Sequence, residues 1–220
     1  MFPLRDINPS ESFPKVTLIL ILVNLGVFIL EIMAGPELLN QLVYIFGLVP
    51  AYINDPASLI SYYPFLTSTF LHGGWMHLIG NMWILWLFGD NIEDHMGSGR
   101  FLLFYLICGL LAGMTHYYIN PHSTIPVVGA SGAVAGVMGA YFWMFRHARI
   151  LTFVPPFFLF TLPAWIYLGF WALSQLYCGT ADMISANSCG SIAFWAHLGG
   201  FGAGMFLHRI FLIREPRSIP

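Results

Sequence analysis

The chain has 220 residues, 58% of them hydrophobic, 17% aromatic and only 8% charged, roughly a third of the charge density usual in soluble domains. So little polar surface cannot form a water-facing shell, and the mean hydropathy of +0.75 points to a membrane protein of single-domain length. A net charge of −2 offers no basic face for nucleic acid, and three Cys are too few for a disulfide scaffold.

A membrane-crossing helix needs roughly 20 apolar residues with few charges. In chain order such runs fall at about 16–33, 74–88, 101–119, 127–145, 156–177 and 192–213. The first ends near Glu31 and Gly35-Pro36, and no clear cleavage site follows it, so it reads as a retained span and not a signal peptide. The second stops at the acidic stretch Asp90–Asp94, the third at Asn120-Pro121 and the fourth at Arg146, His147 and Arg149. Pro155, Pro156 and Pro163 blur the start of the fifth. The expectation is one all-α membrane domain over residues 1–220, a six-transmembrane-helix bundle. Between spans 1 and 2 a long, aromatic outer loop, residues 34–73, is expected to lie in the membrane interface.

Charge placement tests this count. The eight cations are Arg5, Lys15, Arg100, Arg146, Arg149, Arg209, Arg214 and Arg217. Six spans put all of them on one side, which by the positive-inside pattern makes both termini cytoplasmic. The short tails carry no organelle-targeting presequence, so the expected location is a bacterial inner membrane.

Polar side chains within spans are costly and default to functional candidates. Span 2 holds His77 and Asn81, span 4 holds Ser131 and span 6 holds His197; Asn24 and Glu31 in span 1 read as structural. Spans 2, 4 and 6 run in one direction. At ~1.5 Å per residue, all four candidates lie within roughly 10 Å of the outer end, one level at which they can converge. His197, Gly200 and Gly204 fall at i, i+3 and i+7 on one face. The Gly200-xxx-Gly204 stripe, pressed on the small residues of span 4, would carry His197 to Ser131. A hydroxyl beside an imidazole is the minimum for an activated nucleophile. His77 and Asn81, at i and i+4, could donate to a developing oxyanion. Spans 2, 4 and 6 carry no Asp or Glu, so the pair would be a dyad and not a triad.

These residues resemble a known family. His72 to Asn81 looks like HxxxxHxxxN, Gly129-Ala130-Ser131-Gly132 like GxSG, and Ala196-His197 with Gly200 and Gly204 like AHxxGxxxG. Together, from roughly Thr67 to Phe206, they are similar to rhomboid intramembrane serine proteases; Glu93, Gly97 and Arg100 resemble a further segment of that family. The resemblance implies an intramembrane serine endopeptidase cleaving transmembrane segments of membrane proteins near the outer leaflet. In it Ser131 is the nucleophile and His197 the general base and then acid. His77, Asn81 and the Ser131 backbone N–H form the oxyanion hole, with His72 as an accessory residue. Two positions depart from the family. Tyr63-Pro64 stands where many members carry a Trp-Arg pair, so the outer loop must be anchored differently. Ala135 stands where some members stack a Tyr on the catalytic His, so that support must come from elsewhere.

Two other readings compete. One is a non-catalytic rhomboid-like protein binding client helices; the other is a His-rich metal or haem carrier using His72, His77, His116, His122 and His197. Neither HExxH nor CxxC spacing occurs, so no metal and no cofactor is expected; the partners expected are transmembrane substrates and lipid. Span 5, with Phe157, Phe158, Trp165, Phe170 and Trp171, is read as a mobile gate for lateral entry, so Trp171→Ala and Phe157→Ala would raise cleavage. His95, His116, His122, His147 and His208 are expected in solvent or at headgroup level, and Cys108 as an apolar filler. Cys178 and Cys189 share the outer 5–6 connection, and the spacing leaves open whether they are bridged.

Overall fold

The structure, a computed structural model, describes residues 1–53, 59–156, 158–185, 188–190 and 192–215. Among the described residues seven α-helices carry the fold: α1 (Lys15–Phe46), α2 (Tyr63–Thr67), α3 (Trp75–Met96), α4 (Ser98–Ile119), α5 (Ser131–Met144), α6 (Ala164–Ile184) and α7 (Phe194–Phe211). The expected all-α class needs one correction. Strands β1 (Phe2–Asp6), β2 (Arg149–Val154) and β3 (Phe158–Pro163) form an antiparallel sheet in the order β1-β2-β3. It joins the N-terminal tail to the connection between α5 and α6.

Several helix boundaries also differ from expectation. Gly35, at φ 76°, followed by Pro36, breaks α1 but does not end it, and a second helical arm continues to Phe46. The 34–73 connection is therefore largely helical. Helix α3 runs past Asp90–Asp94 to Met96 because those carboxylates have backbone to satisfy. Glu93 accepts the Val16 and Thr17 N–H groups at 2.9 and 2.8 Å, capping the start of α1, where Pro14 offers no side-chain cap. Asp94 accepts the Glu11 N–H and the Ser12 hydroxyl. Helix α5 starts at Ser131, four residues later than expected, and α6, the fifth expected span, starts at Ala164 because Phe158–Pro163 is strand.

Helices α4, α5 and α7 form the centre. A Cβ on Gly200 would run into the Gly132 carbonyl, and one on Gly204 into the Gly136 carbonyl. Helix backbones thus touch along a stripe that only glycine permits. Buried Phe104, Tyr105, Cys108, Ala133, Val137, Tyr141 and Phe201 fill the core around it. The outward faces are apolar as well: Leu22, Leu30, Trp83, Trp86, Leu103, Phe170, Leu173, Phe206 and Ile210 are exposed. Asn24, Asn81, Asn91, Glu93 and His116 lie inside, a distribution suited to lipid and not water. Among the described residues, α1 and α4 have the length and composition of a membrane span by themselves. Helix α5, with 14 residues, spans only ~21 Å.

The cations gather at one end of the bundle. Arg5 pairs with Leu151 across the sheet, Arg100 donates to the Leu212 carbonyl and Arg214 bridges Glu11 at 3.0 Å. Lys15 opens α1, Arg149 opens β2, Arg146 lies between α5 and β2, Arg209 lies in the last turn of α7, and Arg217 lies outside the described residues.

Candidate active site

The opposite end of the bundle collects the candidate residues. The approach to α5 is not helical: Val127 and Leu48 pair as an isolated antiparallel bridge, and the Gly129 N–H donates to the Ser68 carbonyl at 2.8 Å. Gly129 takes φ 123°, and a Cβ there would sit 2.6 Å from His77 Cε1. A glycine lets the chain turn past that imidazole and start α5 at Ser131. As the first residue of the helix, Ser131 sits beside first-turn N–H groups that have no intrahelical acceptor, a place suited to negative charge.

His197 Nε2 lies 2.8 Å from Ser131 Oγ. The other ring nitrogen, Nδ1, lies 2.7 Å from Gln175 Oε1 of α6. An amide oxygen only accepts, so Nδ1 carries the proton and Nε2 is free to accept from the serine hydroxyl. The Trp171 ring sits over His197 with centroids 5.9 Å apart and planes tilted by 32°. The stacking support absent at Ala135 comes from α6.

His77 and Asn81, on the first turns of α3, flank the same backbone: both approach Gly129, two residues before Ser131. Asn81 Nδ2 donates to His72 Nε2 at 3.1 Å, and the His72 and His77 rings are 5.2 Å apart. His72 is 2% exposed; burial, reinforced by His77, pushes its imidazole down to about 4, so it is neutral and able to accept from Asn81. Buried Glu31 of α1 in turn accepts the His72 backbone N–H at 3.3 and 3.2 Å. Glu31 thus anchors the segment leading into α3.

The outer connection has its own anchors. Tyr63 Oη donates to the Ile45 carbonyl at 2.7 Å and Thr67 Oγ1 to the Phe46 carbonyl at 2.7 Å. Tyr63 so performs, at one of the departing positions, the tethering that the outer loop needs.

Ser131, His197, His77, Asn81 and His72 are therefore brought to one end and one neighbourhood. Gln175 and the orienting role of Trp171 were not expected. The signal available was a polar amide inside the apolar fifth run, one turn after a Trp. His116 and His208, expected at the surface, are buried. His116 backs the site on α4 with neither ring nitrogen hydrogen-bonded among the described residues, and His208 bonds the Met205 carbonyl. Phe157 lies outside the described residues. Cys178 and Cys189 are bridged, tying α6 to the chain that leads into α7. Among the described residues no group of three His, Cys, Asp or Glu side chains is arranged to hold a metal ion.

A helical bundle with an apolar exterior, enclosing a hydroxyl–imidazole pair between glycine-packed helices, is the architecture of a membrane-embedded protein with its polar site inside. The sequence matches the Rhomboid domain over residues 60–214, and the chain belongs to the rhomboid family, whose members are integral membrane proteins and typically intramembrane serine proteases. It is 28% identical over 179 residues to the human presenilin-associated rhomboid-like protein, mitochondrial, covering 73% of this chain and 43% of that one. It is 32% identical over 158 residues to Rhomboid protein 1, mitochondrial, of Saccharomyces cerevisiae, covering 70% and 41%. To the rhomboid protease GluP of Bacillus subtilis it is 37% identical over 117 residues, covering 53% and 22%. The chain spans less than half the length of these relatives.

Proposed function

We propose that the protein is an intramembrane serine endopeptidase that hydrolyses peptide bonds in transmembrane segments near the outer leaflet. Ser131 Oγ attacks the scissile carbonyl while its proton passes to His197 Nε2. The oxyanion that forms is held by the Ser131 N–H, His77 and Asn81, with His72 keeping the Asn81 amide in place. His197 then gives its proton to the leaving amine, and water, activated by the same imidazole, releases the acyl-enzyme. The observation that carries this reading is the 2.8 Å approach of Ser131 Oγ to His197 Nε2, with the Nδ1 proton already engaged.

The reading includes six spans within one membrane domain, near residues 16–33, 74–88, 101–119, 127–145, 156–177 and 192–213, with both termini cytoplasmic. The gathering of the described cations at the end away from Ser131 supports it. A substrate helix must be unwound locally before its backbone can react, since its carbonyls are hydrogen-bonded and dry. The site's place at the helix N-termini leaves water a short route. For location we propose a bacterial inner membrane; relatives from mitochondria and from a bacterium both match the chain.

The test is labelling with a fluorophosphonate beside cleavage of a single-span reporter in proteoliposomes. Wild type should be labelled and cleave, Ser131→Ala and His197→Ala should do neither, and chelators should change nothing. Labelling that persists in Ser131→Ala, or cleavage that stops with chelator, would overturn the reading. Wild type that binds the reporter without labelling or cleaving it would make the chain a non-catalytic client binder.

A further inference from the structure

We infer that Gln175 is a positioning residue that completes a Ser131–His197–Gln175 relay, the third member coming from α6. The inference rests on the protease reading above. Its basis is a run of bonds with fixed donors and acceptors. Ser174 Oγ donates to the Trp171 carbonyl at 2.6 Å, so the Ser174 oxygen is left to accept. Gln175 Nε2 donates to that oxygen at 3.3 Å. The amide is thereby oriented with its nitrogen towards Ser174 and its oxygen towards His197 Nδ1, 2.7 Å away.

Holding the Nδ1 proton has two consequences. Before attack it selects the tautomer whose Nε2 lone pair faces Ser131; during attack it stabilises the imidazolium that forms. An amide does both without a full charge. A carboxylate in the same place would have to be desolvated between helices, at a cost that only an excellent geometry repays.

Trp171 precedes Gln175 by one helical turn on the same face of α6. Its ring contacts both His197 and Phe201, the latter at 5.8 Å between centroids. The imidazole is thus clamped on its edge by Gln175 and on its face by Trp171. Both belong to the helix expected to act as a gate, so loosening α6 removes the orientation of His197. Trp171→Ala then lowers cleavage, opposite to the gate expectation.

Three forms test the relay. Gln175→Met keeps the length of the side chain and loses the acceptor; Gln175→Glu keeps an acceptor; Ser131→Ala reports on the protease reading. In proteoliposomes, Gln175→Met should lower kcat roughly ten- to a hundredfold, with KM changed by less than about twofold, and Gln175→Glu should recover most of the loss. Nitrogen-15 NMR of histidine-labelled protein in micelles should show His197 protonated at Nδ1 in wild type and distributed between the two nitrogens in Gln175→Met. Unchanged kcat, or an unchanged His197 tautomer in Gln175→Met, would overturn the relay. Should Gln175→Met fail to fold, a Gln175→Glu enzyme whose His197 loses the Nδ1 tautomer would overturn it equally. The NMR measurement needs no turnover, so an inactive wild type would sink the protease reading and still leave the Gln175–His197 bond to be judged.

Discussion

The Cα of Gly204 rests against the Gly136 carbonyl, one turn below the matching contact between Gly200 and Gly132. The two contacts fix how far α7 stands from α5, and so set the distance between His197, one turn before Gly200, and Ser131, the neighbour of Gly132. A methyl at position 204 has nowhere to go except by parting the helices. Gly204→Ala is therefore expected to cost about 1–3 kcal/mol and, by displacing the imidazole by a fraction of an ångström to an ångström, up to roughly a hundredfold in cleavage. Gly202→Ala, which meets no atom within 4 Å, should be near neutral in both. Melting temperature and fluorophosphonate labelling rate measure the two effects.

Glu93 ties two segments to its own helix α3: the α1 start through the Val16 and Thr17 N–H groups, and the α4 start through Ser98 Oγ at 2.6 Å. It is 2% exposed, so its removal takes the acceptor from three donors, the buried Thr17 N–H and the part-buried Val16 N–H and Ser98 hydroxyl. Glu93→Ala should destabilise by about 2–4 kcal/mol, and Glu93→Gln, which keeps one acceptor oxygen, by less. The check is the unfolding midpoint of the two variants in the same detergent.

These two features mark what the sequence reveals and what it hides. The spacing of His197, Gly200 and Gly204 is local to one helix, so the face that meets Ser131 could be read from periodicity. The role of Glu93 could not, since its partners at the start of α1 lie more than 70 residues away and its charge looks like an end to a span. The sheet was hidden for the same reason: β1 pairs with residues about 145 positions distant, and Phe158–Pro163 is an apolar run that periodicity cannot assign to strand or helix. Gln175 is a single amide in an apolar stretch, meaningful only once α6 is set against α7.

Asp6 lies in β1, outside the helices, where it accepts from Tyr141 Oη at 2.9 Å and from Asn91 Nδ2 at 2.8 Å. Burial, with a contribution from Asp90, raises its carboxyl from 3.8 to about 7 against the opposing hydrogen bond from Tyr141. The folded protein thus holds a proton that the unfolded chain has lost between about pH 4 and 7. By linkage, the stability this group contributes is full at about pH 4, declines as pH rises to about 7, and is flat above that. Melting temperature should fall over that window, and Asp6→Asn, neutral throughout, should flatten that part of the profile. An unchanged slope in Asp6→Asn would assign the dependence to another group.

The Cys178–Cys189 bridge joins α6, one turn past Gln175, to the segment that enters α7. A cross-link spanning 11 positions removes denatured-state freedom worth roughly 3 kcal/mol, so reduction should lower the melting temperature. The functional effect follows from where the bridge stands: it restrains the helix that carries Trp171 and Gln175 against the helix that carries His197. Reduction, or paired Cys178→Ser and Cys189→Ser substitution, should therefore lower kcat more than it raises KM, because the imidazole loses orientation while the substrate path is untouched. Adding the pair of substitutions to Gln175→Met should produce little further loss in kcat, since the orienting bond is already absent. A full additive loss in the combined variant would mean that the bridge acts on some other part of the site.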